Sequence, residues 1–154
     1  MARHKAREQT LQMLFEWDLR RTPLEEIARG YYGSLLVAED SVAKPRPDAF
    51  AESLLSGVTE ELPAIDELIT RHAANWRLER MPAVDRNVLR MAVYEMLRTD
   101  TPAAIVIDEA LELARRFAGE ESVQFVNGVL DAVRKELPAK LPLTAGAADT
   151  NPPD

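Results

Sequence analysis

Residues 102–131 read PAAIVIDEALELARRFAGEESVQFVNGVLD, and the fold follows from how this stretch is patterned. Two helical periods meet in it at the corner Gly119-Glu120-Glu121-Ser122. Ile107, Ala110, Leu111, Ala114 and Phe117 recur at i, i+3, i+4 spacing before the corner, and Val123, Val126, Leu130, Val133 and Leu137 do so after it. Such a pattern predicts two amphipathic helices folded back on each other over a shared core. Phe125 falls off the second stripe, about 110° from its centre on a helical wheel, in the company of Gln124 and Gly128. A protruding ring beside a glutamine suits single-stranded nucleic acid, whose bases stack on aromatic faces. The same ring could instead pack on a neighbouring helix, which is common in a layered bundle. Gly128 costs a helix interior about 1 kcal/mol relative to Ala, which points to a close approach to the backbone there.

Outward from this hairpin, prolines divide the chain. Pro23, Pro63, Pro82 and Pro102 fall between helix-period segments, where a missing N–H in the first turn does no harm. Thr22-Pro23 and Thr101-Pro102 each pair an N-cap residue type with a proline suited to the first helical position. Seven helices are expected, through Arg3–Arg21, Leu24–Glu39, Asp48–Glu61, Ala64–Trp76, Ala83–Arg98, Ala103–Phe117 and Glu121–Glu136. No segment sustains the period-2 alternation of a strand. The fifth helix is apolar almost all round, through Val84, Val88, Leu89, Met91, Ala92, Val93, Met96 and Leu97, and so belongs at the centre. The expected architecture is therefore an all-α fold of about seven helices in two packed sub-bundles, divided near Lys44-Pro45-Arg46-Pro47. Residues 1–137 read as one domain. Residues 138–154 hold four of the ten prolines and no period, and read as a disordered tail.

Composition narrows the function. The 154 residues are 46% hydrophobic and 29% charged, which is a globular composition with length for one sizeable core. No run reaches the roughly 18 apolar residues of a membrane span, and the charged opening MARHKAREQT is unlike an export signal. A cytoplasmic address is expected. With no cysteine, disulfides, thiolate catalysis and cysteine–metal sites are excluded. The two histidines, His4 and His72, cannot build a histidine-rich metal site, and no phosphate-binding glycine loop or HExxH pattern occurs. Neither a cofactor nor an enzymatic activity is expected.

Charge is unevenly placed. Arg3, Lys5 and Arg7 stand in the first seven residues without an acid, against an overall charge of −7. A small basic arm on an acidic body can contact phosphate, or it can be a merely solvated end. Glu95 lies on an apolar face of the fifth helix between Val84, Val88 and Met91. A buried carboxylate needs a partner, so it is either a site acid or a structural acid held by an arginine or by backbone donors, the latter being the simpler account.

These elements, taken in order, resemble the NusB family. The resemblance rests on Arg3-His4-Lys5-Ala6-Arg7-Glu8 followed by Leu11-Gln12-Met13-Leu14-Phe15-Glu16-Trp17, on Phe50 through Gly57, on Ile65-Asp66, on Val84 through Glu95, and on Pro102–Asp131. It covers about residues 2–137. It implies an all-helical RNA-binding adaptor, a transcription antitermination factor that pairs with the ribosomal protein NusE. The two bind the boxA element of ribosomal RNA leaders and help load an antitermination complex on RNA polymerase. On this resemblance Arg3, His4, Lys5 and Arg7 contact RNA through the basic arm, and Gln124 and Phe125 lie near bound RNA. Phe15 and Asp85, the latter expected as an exposed acid, face NusE. Both a monomer and a homodimer that covers the arm are consistent with the family. His4 stands where an arginine is common, and Phe15 where a tyrosine is. Two other readings compete: the helical domain of a ribosomal RNA cytosine methyltransferase, which would need a downstream catalytic region, and a protein–protein adaptor without RNA binding.

Overall fold

The computed structural model describes residues 3–38 and 48–138, and these form seven α-helices with no strand among them. They are α1 (Arg3–Arg20), α2 (Leu24–Ala38), α3 (Ala49–Glu60), α4 (Leu62–His72), α5 (Ala83–Arg98), α6 (Ala103–Phe117) and α7 (Glu120–Glu136). The expected linker at Lys44–Pro47 lies outside the described residues, as does the expected tail beyond Pro138.

The apolar all-round helix is the hub: α5 packs against α1, α3, α4, α6 and α7. Val88, Leu89, Met91 and Val93 are fully or almost fully buried, because each side of α5 meets a different neighbour. Around it stand two groups, α1 with α2 and α3, and α4 with α6 and α7. The division therefore falls after α3, not in the proline-rich linker before it, since α3 packs chiefly on α1. Leu54 and Val58 of α3 join Met13 and Leu14 of α1 in the core.

Local chemistry sets the helix ends. Asp48 caps α3, accepting a hydrogen bond from the Ala51 amide at 2.9 Å. Pro23 and Pro102 stand one position earlier than expected: each carbonyl accepts the first helical amide bonds, and Ala103 opens α6 without a side-chain cap. At the α6–α7 corner Gly119 has φ +140°, a conformation open to glycine. Arg21, just past the end of α1, has a φ of +57° that is unusual for a side chain with a Cβ. There the guanidinium bonds the Asp18 carboxylate at 3.1 Å and lies over the Trp17 ring.

Close backbone approach occurs at a different glycine from the one expected. Gly128 is exposed and a Cβ there would meet nothing. Gly57 instead carries the ring of Tyr94, which occupies the space a side chain would need and lets α3 and α5 approach. α4 is also shorter than its periodicity suggests. It stops at His72, a turn follows, and Leu78–Arg80 forms a short 3-10 helix. Trp76 is thereby lifted off the helix and left half-exposed.

Candidate nucleic-acid interface

The basic arm is the first turn of α1, and its cations have different environments. Arg3 and Lys5 are exposed. The Arg3 guanidinium lies 4.5 Å above the Phe50 ring, so α3 steadies it while leaving its charge in solvent. His4 sits between two acids, 3.2 Å from Glu8 and 3.5 Å from Glu109. Arg7 corrects the expectation that it is a free phosphate ligand. It is buried, and both arms of its fork donate to Glu95, Nε to Oε2 and Nη2 to Oε1, each at 2.7 Å. Burial alone would lower the Arg7 pKa, but the hydrogen bonds and charge of Glu95, with Glu109 nearby, raise it. Glu95 is thus the structural acid of the two alternatives, and it anchors the arm to α5.

A second ionic knot joins α1, α4 and α5. Asp18 receives Arg86 at 2.6 Å and Arg90 at 3.1 Å, and Arg90 also reaches Asp66 through Nε at 2.9 Å and Nη2 at 3.0 Å. Burial pushes the Asp18 carboxyl up, but Arg86, Arg90 and Arg21 outweigh it and hold the pKa at about 2. This knot fixes the first turns of α5 against α1.

Beside those turns opens a cleft of about 490 Å³ between α5, the start of α7 and the turn after α4. Phe125 enters it half-buried and meets Trp76 edge to face, with ring centroids 6.0 Å apart and planes at 66°. Phe125 thus packs on a neighbour, as one of its two readings expects, and that neighbour is an exposed ring. Gln124 and Ser122 form the rim on α7. Asp85 lies here too, and it is not the exposed acid expected at a partner surface. It is 4% exposed, and its Oδ1 has no hydrogen-bond partner among the described residues. The structure groups Asp85 with Gln124 and Phe125, not with Phe15.

Phe15 is 38% exposed and borders a separate groove of about 240 Å³ with Leu11, Gln12, Val84 and Phe117. Leu19, one turn further along α1, is still more exposed, so the two make an apolar strip that no part of the described chain covers. Among the described residues no group of three or more acidic or histidine side chains is placed to hold a metal, and no helix is long and apolar enough to cross a membrane.

The NusB family profile matches residues 4–135, from the first turn of α1 to the last turn of α7. The chain belongs to the NusB family. It is similar to the transcription antitermination protein NusB of Solibacter usitatus (strain Ellin6076), with 58% identity over 137 residues, 89% of this chain and 91% of the relative. Among solved structures it is similar to T. maritima NusB, with a TM-score of 0.73 and 38% identity over 88% of this chain and 92% of that one. A structure of the antitermination factors NusB and NusE in complex with double-stranded RNA superposes with a TM-score of 0.71 and 27% identity, covering 89% and 100%. Within this NusB-family chain the Phe15 groove, the Asp85 cleft and all of the arm except Arg3 fall inside the matched span. Trp76 is the site residue that sequence reasoning missed. It was counted into α4, and only the early end of that helix displays it.

Proposed function

We propose that this chain is a transcription antitermination factor that binds boxA RNA of ribosomal RNA leaders together with the ribosomal protein NusE, and so helps load the antitermination complex on RNA polymerase in the cytoplasm. The observation that carries the reading is similarity to NusB proteins over 89% of the chain, one of them solved with NusE and RNA. Residues 1–137 act as the RNA-binding domain, in line with the family match over 4–135.

RNA contact is divided between two patches. Arg3 and Lys5, with His4 between them, meet phosphate, while Arg7 holds their helix turn in place through Glu95. Phe125 and Gln124 meet bases at the cleft. Phe15 and its apolar strip receive NusE, to which a hydrophobic surface is better suited than to RNA. A homodimer would compete for the same surfaces.

The test is a titration of boxA RNA with the full chain, with and without NusE, at several salt concentrations. Two phosphate contacts from Arg3 and Lys5 give a log–log salt slope of about −1.4 on single-stranded RNA. Arg3→Ala with Lys5→Ala should flatten that slope and weaken all sequences alike. Phe125→Ala should lose roughly 1–3 kcal/mol of stacking at unchanged slope. Phe15→Ala should weaken NusE association. Wild-type RNA affinity and salt dependence in the double arm variant would leave a protein–protein adaptor as the reading, and sedimentation of the chain alone reports whether it dimerises.

A further inference from the structure

Arg3 is held by an aromatic face and not by an opposite charge. Its neighbours in the arm meet acids: His4 lies near Glu8 and Glu109, and Arg7 is bonded to Glu95. Arg3 has no acid within ion-pair distance among the described residues, and its guanidinium rests 4.5 Å above the centroid of the Phe50 ring. That ring has a fixed place. Asp48 caps α3 through the Ala51 amide, which sets Phe50 in the first turn. The Thr10 hydroxyl of α1, which bonds the Ala6 carbonyl at 2.9 Å, also reaches the Ala51 carbonyl at 3.3 Å and ties that turn to α1. The ring is half-buried against the core, and the Arg7 guanidinium, clamped by Glu95, lies 5.3 Å from its centroid. Lys5, two residues on, is exposed and has neither ring nor acid against it among the described residues.

We propose that Phe50 is a positioning residue for RNA binding, its ring presenting the Arg3 guanidinium to a backbone phosphate. This rests on the RNA-binding reading above and deepens it, since it makes α3 a working part of the arm. A guanidinium held by its face keeps its N–H donors in the plane of the group, where a phosphate can take two of them at once. An acid in place of the ring would occupy those same donors, as Glu95 does for Arg7. The ring therefore orients the cation without competing for it. Arginine also has many rotamers to lose on binding, and one already stacked has lost part of them beforehand. The guanidinium carbon lies within the roughly 6 Å at which a cation is drawn to a ring face. Arg3 thus supplies a directed contact and Lys5 an undirected charge. The competing role for Phe50 is packing between α1 and α3 alone, and that role does not depend on Arg3.

A double-mutant cycle decides between the two, read by fluorescence anisotropy with the full chain, NusE and labelled boxA RNA at several salt concentrations. Phe50→Leu keeps apolar bulk between the helices but has no ring face. It should weaken RNA binding about two- to fivefold, the worth of one exposed cation–ring contact, at the wild-type salt slope, because no charge is removed. Arg3→Ala should flatten the slope by about 0.7. In the Arg3→Ala background Phe50→Leu should change the affinity no further, which is the sign of coupling between the two side chains. Phe50→Tyr, which restores a ring, should bind as wild type does. If Phe50→Leu does not fold by circular dichroism, pentafluorophenylalanine at position 50 takes its place, since it keeps the ring's shape and removes its negative face. An equal loss from Phe50→Leu with and without Arg3 assigns the ring to packing and overturns the proposal. Wild-type affinity in Phe50→Leu also overturns it, and both results leave the RNA-binding reading standing. Failure of the wild-type chain to bind the RNA overturns both.

Discussion

Two acidic environments flank the first turns of α5, one fully paired and one open. Asp18 is 4% exposed in its side chain and is ringed by Arg86, Arg90 and Arg21. Asp85, a buried residue, lies at the edge of the cleft with an oxygen that has no partner among the described residues. Glu95, further along α5, belongs with Asp18, since Arg7 satisfies both its oxygens. A paired buried charge holds elements in register, and its removal harms the protein. An unpaired one holds no second element in register and carries the cost of an oxygen kept from water. This difference separates the two acids more sharply than residue type or position in sequence.

The largest expected effect comes from breaking the paired side. Glu95→Ala leaves the Arg7 guanidinium buried with Glu109, at 3.7 Å, and the Phe50 ring as its remaining partners, and should cost about 3–5 kcal/mol in urea unfolding. Arg7→Met combined with Glu95→Leu should recover most of that loss, because neither charge is then stranded. The double variant also tests what Arg7 does: its salt slope for RNA should equal that of wild type. A flatter slope would return Arg7 to the phosphate ligands.

Apolar packing around α5 ranks next. Leu89→Ala should destabilise by about 2–5 kcal/mol, since the side chain is fully buried and its neighbours come from several helices. A change below about 0.5 kcal/mol would remove α5 from the centre. Gly57→Ala should cost roughly 1–3 kcal/mol through displacement of the Tyr94 ring. The companion Gly57→Ala with Tyr94→Leu should recover part of it.

The Asp18 knot also sets an acid limit. Its folded pKa of about 2 lies below the ordinary 3.8, so the knot stabilises fully above about pH 4 and its contribution is lost as pH falls toward 2. In Asp18→Asn the loss of stability across that interval should be shallower, followed by chemical unfolding at each pH. An unchanged acid limb would show that other carboxylates govern it.

The helical plan was legible because amphipathic period and proline position act locally. Val123 to Leu137 and the all-round apolar α5 needed no knowledge of their partners. The site was legible only in part, since its decisive facts are non-local. Arg7 looked free because Glu95, which binds it, is 88 positions away. Asp85 was expected to be exposed, as an acid on an otherwise apolar helix, and α4 was expected to run on to Trp76. The early stop at His72 instead turned that ring toward Phe125 and closed a cleft over the acid. Gly128 was the more conspicuous glycine, in a helix interior beside Asn127, but the close approach lies at Gly57, where only the position of Tyr94 reveals it.

The smallest expected effect is the one that most sharpens the contrast between the two environments. Asp85 stands in the first turn of α5, where the exposed peptide N–H dipoles favour a negative charge by about 0.3–1 kcal/mol. Against this works the cost of an oxygen held from water without a donor, of similar size or larger. Asp85→Asn removes the charge on which both terms depend and leaves a neutral acceptor in its place, so its unfolding free energy should stay within about 1 kcal/mol of wild type. Glu95→Gln, an equally conservative change on the paired side, strips the charge from a bidentate bond to buried Arg7 and should cost clearly more. Measuring the two amide variants side by side in urea holds size and shape nearly constant and varies only whether a partner is present. Equal losses in both would mean that Asp85 has a structural partner after all.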